Sequence, residues 1–411
     1  MIRCCSKLAK VCDSAVTLCF VLQLWVFSAI ASANDEQTLH ALLANGNYEP
    51  EVVQIVAQIK KGQLDTALVK VQEHLERFPK SRIGHLLKAD ILAASAGGLA
   101  NIGQSSKLPQ EEVEGLSEQL KNRWHHFKKA HDTHGLLPSS LIDIGNHPYI
   151  LVGDMKNGRL YVYQNVEGQP DLIRDYYMSV GSAGYGKQVE GDNKTPIGVY
   201  HVNRYIEGKR LPDLYGKGAF PVNYPNLYDR FLKRTGYGIW LHGTPSTTYA
   251  RAPWTSEGCF VLSNDDLLDV AQFIDPKLST PVILSDDVEW ITREELNIRR
   301  SDLMSVLDQW KRDWESIDTE AYVSHYKSDL FNFGRQSFAT WSKRKEQVNL
   351  SKTFIQIDLQ VDDLFTYPGE KDMFVVNYTQ RYLSNNYEGT ARKRQFWKRD
   401  RTGRWQILYE G

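Results

Sequence analysis

Residues 239–245 read Ile239-Trp240-Leu241-His242-Gly243-Thr244-Pro245, and residues 256–262 read Ser256-Glu257-Gly258-Cys259-Phe260-Val261-Leu262. Together they offer a base and a thiol. A free Cys is mostly protonated at neutral pH, and the thiolate is the nucleophile, so a reactive thiol needs a base beside it. His242 can serve, with an unperturbed pKa of roughly 6.5. The two residues stand in different segments and meet only if the fold brings them together.

The sequence around them reads as a β-rich domain with few helices. Tyr149-Ile150-Leu151-Val152 is strand-like, Asn157-Gly158 is a turn signal, and Arg159 to Tyr163 alternates as a second strand, which predicts a hairpin. Further strands are expected over Tyr176–Gly181, from Thr195-Pro196-Ile197-Gly198 into Tyr200, from Gly238 to Leu241, and over Pro281–Leu284, the last as a closing strand. Ser263 is placed to cap a helix running to Phe273, with Asp266 in its first turn. The Gly-rich stretch from Gly181 to Gly191 lacks the helix that a phosphate-cradling loop feeds, which argues against a nucleotide site.

Upstream, Arg3, Lys7 and Lys10 precede an apolar run from Ala15 to Ile30 and a small-residue site, Ala31-Ser32-Ala33. This pattern predicts a signal peptide over 1–33, cleaved after Ala33, and no membrane span thereafter. The alternative is an uncleaved anchor helix. Of the 5 cysteines, Cys4, Cys5, Cys12 and Cys19 fall in that leader, leaving Cys259 without a disulfide partner in the mature chain. A lone thiol in an exported protein is either a buried hydrophobe or a reactive group.

Residues 34–140 read as an α-helical module. Leu64, Ala67, Leu68, Val71, Leu75 and Phe78 recur at helical spacing before Pro79, with one helix before and one after. Gly62 to Pro79 is similar to one tetratricopeptide-type unit, so the module is TPR-like and suited to docking a wall or envelope protein. His125, His126, His131 and His134 lack a familiar metal-ligand spacing and read as a solvated helix face.

Residues 291–411 begin with an amphipathic helix carrying Leu303, Leu307, Trp310, Trp314 and Ile317, continue with a helix capped by Thr319, and turn to long strands from Phe354 onward. Helices followed by an antiparallel sheet predict an α+β cone. Its last hairpin gathers Arg392, Lys393, Arg394, Lys398, Arg399, Arg401 and Arg404, as a solvated face or a patch for an anionic polymer. Net charge over the whole 411 residues is -1, which argues against a nucleic-acid partner.

Ile-x-Leu-His-Gly-Thr followed by Ser-x-Gly-Cys resembles the L,D-transpeptidase (YkuD-type) catalytic motif. Arg159 to Tyr163 is similar to that family's first hairpin, and Gly191 to Gly198 to its Thr-Pro-x-Gly segment. The resemblance spans about 145–285 within an expected domain of 141–290. It implies that Cys259 is the nucleophile, His242 the general base and Gly243 the residue whose carbonyl orients that histidine. Ser256 and Gly258 would form the loop that presents the thiol, Ser256 counting among the substrate contacts and backbone N–H groups near Gly258 and Cys259 forming an oxyanion hole. The implied substrates are peptidoglycan stem tetrapeptides, with no cofactor and no metal, in a Gram-negative-type periplasm.

Two positions depart from that pattern: Glu257 stands where the family commonly has His, and Val261 where it commonly has Arg. A negative charge at Glu257 beside the thiol would raise its pKa, unless Glu257 points away or pairs with Arg251. Arg251, Lys187 and Arg204 are candidates to hold a substrate carboxylate instead. Trp254 and Tyr249 could line the peptide groove or pack beneath it, as could Trp240. The C-terminal region resembles an NTF2-like (SnoaL-like) fold, through the Trp310/Trp314 helix and Arg404-Trp405-Gln406-Ile407-Leu408. That domain order is similar to cell-shape-determining L,D-carboxypeptidases of helical bacteria. The expected function is an L,D-transpeptidase forming 3–3 cross-links or protein attachments. Alternatives are an L,D-carboxypeptidase using the same pair and a non-catalytic wall-binding scaffold.

Overall fold

A computed structural model of the chain describes residues 48–97, 103, 107–129, 133–202, 204–326 and 336–411. The expected leader with its four cysteines, and His131, lie outside the described residues. Among the described residues no helix is long and apolar enough to cross a membrane.

Among the described residues the N-terminal unit has four helices: α1 (Tyr48–Lys60), α2 (Leu64–Arg77), α3 (Arg82–Ser95) and α4 (Gln110–Lys129). Their apolar stripes meet in a core of Val52, Ile55, Ala67, Val71, Ile83, Leu87, Ile91, Leu116 and Leu120. Gly62, at φ +71°, makes the turn between α1 and α2, and Ser81 caps α3 by accepting the Gly84 N–H at 3.1 Å.

This unit is bolted to the next domain through charge. Glu49 of α1 pairs with Arg123 of α4 at 3.0 Å and with Arg159 of the central sheet at 2.7 Å. Arg159 also holds Asp175 at 2.7 Å, and His126 reaches Asp175 at 2.5 Å. His126 is therefore not on a solvated helix face, as its neighbours suggested; it turns inward to a carboxylate.

The central domain is built on a five-stranded sheet. Strands β1 (Tyr149–Asp154) and β2 (Arg159–Val166) form the expected hairpin, and β3 (Gln169–Tyr177) extends it. Strand β4 (Val180–Gly181) follows, then β5 (Gly198–His201), β6 (Ile206–Glu207), β7 (Gly218–Pro221), β8 (Trp240–His242), β9 (Trp254–Ser256), β10 (Phe260–Val261), helix α5 (Asn264–Val270) and β11 (Pro281–Ser285). The large sheet runs β3-β2-β1-β11-β5. The strand expected to close the domain thus lies inside the sheet, parallel to β1 and antiparallel to β5. Both faces are covered, which explains why Pro281 to Ser285 is buried at every position. A smaller sheet, β10-β8-β7-β6, and a parallel β4/β9 pair carry the remainder.

The C-terminal domain opens with α6 (Arg293–Glu315), whose start is fixed by a capping box of Thr292 and Glu295. In α7 (Thr319–Val323) the cap is Asp318 rather than Thr319, accepting from Glu320 and Ala321 N–H at 3.0 and 3.1 Å. A third helix, α8 (Phe338–Asn349), precedes the antiparallel sheet β12 (Ile355–Thr366), β13 (Met373–Ser384), β14 (Tyr387–Arg399) and β15 (Trp405–Glu410). The helices close over the sheet around Trp310, Trp314, Tyr322, Tyr378 and Trp397. The same apolar core continues into Ile150, Tyr163 and Ile283 of the central sheet, so the two domains are packed as one body. The segment before β1 runs beside β12: Asp143 and Leu364 exchange backbone hydrogen bonds at 2.9 and 2.8 Å.

Candidate active site

Strands β8 and β10 pair in parallel, with Leu241 opposite Phe260 and His242 opposite Val261. Paired residues of a parallel ladder share a face, and alternate residues change face. Leu241 and Phe260 point into the core, both fully buried. His242 and Val261 therefore take the other face, and Cys259, two residues before Val261, joins them. The register alone brings the thiol and the imidazole to one side of one sheet.

The turn that delivers Cys259 is held by its neighbours. Gly258 sits at φ +120°, and a Cβ there would stand 2.8 Å from the Lys194 carbonyl oxygen, so only glycine fits. Ser256 Oγ donates to the Cys259 carbonyl at 2.6 Å and accepts the Gly258 N–H at 3.1 Å. Thr195 Oγ1, fully buried, donates to the same Cys259 carbonyl at 3.4 Å and accepts the Gly181 N–H at 2.9 Å. This is how the Thr-Pro-x-Gly segment reaches the site: it props the loop from below. Ser256 likewise spends its hydroxyl on the loop. With its N–H taken by Ser256, Gly258 is not the free oxyanion donor expected from the sequence.

His242 is 2% exposed, with Nδ1 2.7 Å from the Gly243 carbonyl oxygen. A carbonyl only accepts, so Nδ1 carries the proton and Nε2 is left as the basic nitrogen. Gly243 is needed as glycine: a Cβ would fall 2.2 Å from Asn264 Oδ1. Asn264, at the start of α5, clamps the region by donating to the Thr244 carbonyl and accepting the Lys217 N–H, each at 2.8 Å. Tyr215 lies edge-on to the imidazole, ring centroids 5.0 Å apart, and also packs on Trp240 at 4.9 Å.

Electrostatically the pair is neutral at rest. Burial pushes the Cys259 thiol up to about 11; the Trp240 N–H and the Arg251 guanidinium oppose the rise, Glu257 adds to it, and Lys187 opposes it. The thiol donates to the Gly238 carbonyl at 3.4 Å. Burial pulls His242 down to about 4; the Gly243 hydrogen bond resists, and Arg251 assists. Glu257 is exposed and forms no ion pair with Arg251 among the described residues.

Of the three cations considered as substitutes for the missing Arg, Arg251 acts on Cys259, Glu257 and His242 alike. It is half-buried and donates to the Thr255 carbonyl. Lys187 is buried and tied to Asp192 at 2.7 Å, while Arg204 is exposed. Trp254 backs the central core and lies 6.1 Å from Tyr185, ring to ring. It also lines a cleft of about 850 Å³ between Arg251 and the α4 residues Glu111 and Glu118. Tyr249 is not brought to the thiol. Its ring stacks on Tyr48 at 3.9 Å and meets Phe78 edge-on, inside the helical unit. Tyr215 and Asn264 escaped the sequence reading because nothing in their own segments marks them; only the tertiary contact does.

Residues 148–284 match the L,D-transpeptidase catalytic domain family (YkuD), and residues 302–411 match the Cds6 C-terminal NTF2-like domain family. The central domain thus matches the YkuD-type L,D-transpeptidase family and the C-terminal domain an NTF2-like family, with helices preceding both. Among solved structures the chain is similar to Bd1075 of Bdellovibrio bacteriovorus, at 27% identity and a TM-score of 0.58, over 67% of this chain and 97% of that one. It is also similar to the helical cell shape determining protein Pgp2 of Campylobacter jejuni, at 27% identity and a TM-score of 0.56, over 66% of this chain and 95% of that one. No curated protein matches the sequence.

Proposed function

We propose that the chain is a peptidoglycan L,D-transpeptidase that works through a Cys259 thioester in the cell envelope. The carrying observation is the β8/β10 register that sets Cys259 and His242 on one face, with His242 Nδ1 fixed to Gly243 and Nε2 free. Cys259 attacks the carbonyl of the L-centre residue that precedes D-Ala in a stem tetrapeptide. His242 Nε2 takes the thiol proton and passes it to the departing D-Ala amine, leaving the acyl group on sulfur. The N–H of Cys259 and the Arg251 guanidinium are the donors at hand for the developing negative charge. An amine from a neighbouring stem then attacks the thioester and restores the thiol. No cofactor or metal takes part in this scheme. Export through the leader over 1–33 accords with this substrate.

A second reading replaces the amine with water, trimming tetrapeptide to tripeptide. It is favoured by likeness to a protein described as cell shape determining, along 95% of that chain. Purified protein incubated with tetrapeptide muropeptides separates the two. New 3–3 dimers support transfer, and tripeptide with no dimer sinks it in favour of hydrolysis. A carbapenem adduct on Cys259, seen by intact mass, tells both from a non-catalytic scaffold.

A further inference from the structure

A second cleft, of about 610 Å³, opens where the central and C-terminal domains meet. None of the active-site residues lines it. On its central-domain wall lies His201, the last residue of β5. The backbone of His201 is pinned by Asn223, which accepts its N–H at Oδ1 at 2.8 Å and donates to its carbonyl at 3.1 Å. The side chain is only 7% exposed, yet its Nδ1 has no hydrogen-bond partner. A buried polar nitrogen left alone carries a desolvation penalty with nothing to offset it, and native folds rarely keep one without a reason.

The opposite wall supplies Arg394 of β14. Its Nε donates to Asn377 Oδ1 at 2.5 Å, which fixes the plane of the guanidinium. Its two terminal nitrogens make no hydrogen bond or ion pair among the described residues. The side-chain carboxylates that line the cleft already have partners. Asp363 accepts from Asn377 Nδ2 at 2.5 Å and pairs with His147 at 2.9 Å, while Asp362 holds Arg392 at 3.2 Å. Lys393, next along β14, sends its amine to Glu410 at 2.8 Å. Lys277 stands exposed at the rim. What the cleft has left to offer is therefore donors: the Arg394 fork, the Lys277 amine and the His201 ring.

We infer that this inter-domain cleft is an oxyanion site, taking a carboxylate or phosphate group on the Arg394 fork with the His201 ring as a further donor. A planar guanidinium presents two parallel N–H groups to such a ligand, and a charge-assisted pair of this kind is stronger than a neutral one. Because Arg394 belongs to the NTF2-like domain and His201 and Lys277 to the central domain, the ligand ties the two together. The inference stands apart from the thiol chemistry.

The test is an NMR titration of the full chain labelled in its histidine rings, with His201 assigned through His201→Gln. Inorganic phosphate and acetate are added separately at constant ionic strength. The expected result is a saturable shift of the His201 ring, with affinity at least about tenfold weaker in Arg394→Gln. Lys277→Ala, at an exposed position that cannot disturb the fold, should weaken binding and flatten its salt dependence. Saturation by phosphate alone assigns a phosphate ligand, and by acetate alone a carboxylate. A His201 ring that moves with neither anion overturns the inference. So does undiminished binding in both the Arg394 and Lys277 variants.

Discussion

His242 Nδ1 lies 2.7 Å from the carbonyl oxygen of the very next residue, Gly243. This short local bond fixes the tautomer, so the basic nitrogen is chosen before any substrate arrives. It does not make the imidazole a cation at neutral pH, because burial holds His242 near 4 and Cys259 near 11.

The pH dependence follows. His242 must be neutral to accept a proton, so kcat/KM should rise as pH rises through about 4 and lie flat across neutrality. Iodoacetamide alkylation of Cys259 should be slow at pH 7 and keep climbing toward about 11. An alkylation midpoint well below that of an ordinary thiol, about 8.5, would show instead a preformed ion pair.

The loop that presents the thiol should tolerate little. Ser256→Ala leaves the Gly258 N–H without its partner and the Cys259 carbonyl with Thr195 alone. A loss of about 1–3 kcal/mol in stability is expected, with a fall in kcat. Gly258→Ala forces a side chain into a left-handed turn against the Lys194 carbonyl. It should cost about 1–3 kcal/mol and reduce turnover at least tenfold. Urea unfolding and steady-state rates on the two variants check this.

Tyr215 is expected to act as a positioning residue, through its ring against His242 and Trp240. Tyr215→Phe should keep most of kcat, whereas Tyr215→Ala should lower kcat more than KM and move the pH profile's acid limb to higher pH as His242 gains solvent. Equal loss in both variants would shift the role to the hydroxyl.

Acid should loosen the helical unit first. The Arg159 and Arg123 guanidiniums hold Glu49 below its ordinary range against the opposing effect of burial, and Arg159 and His126 do the same for Asp175. Carboxylates depressed in the folded state add stability that is fully present above about pH 4 and lost as pH falls toward their folded values. Glu49→Gln should destabilise by about 3–5 kcal/mol at pH 7, since it leaves two buried guanidiniums short of charge. The gap between wild type and variant should narrow as pH falls below the ordinary carboxylate range, followed by tryptophan fluorescence.

The pattern of success in reading the sequence is physical. Asn157-Gly158 announced its hairpin because an Asn-Gly turn works through local backbone sterics alone. Cys259 and His242 stood out because their chemistry is rare and their flanks distinctive. Tyr249 looked like a groove residue by proximity in sequence, yet it serves the packing of α1 and α2. His126 looked solvated because Asp175, its partner, is far along the chain. The interior place of β11 was hidden for the same reason: a continuous apolar run tells that a strand is buried, not which neighbours it will find.

That interior place has a consequence for how the molecule is made. Strand β11 ends at Ser285, and β1, which it pairs with, begins at Tyr149. As the chain emerges from its N-terminus, the sheet holds an empty slot between β1 and β5 until nearly the whole domain has appeared. The cysteine emerges before that slot is filled. The segment that carries Cys259 is therefore complete before the strand that fills the sheet, and long-range pairing of this kind is slow to form.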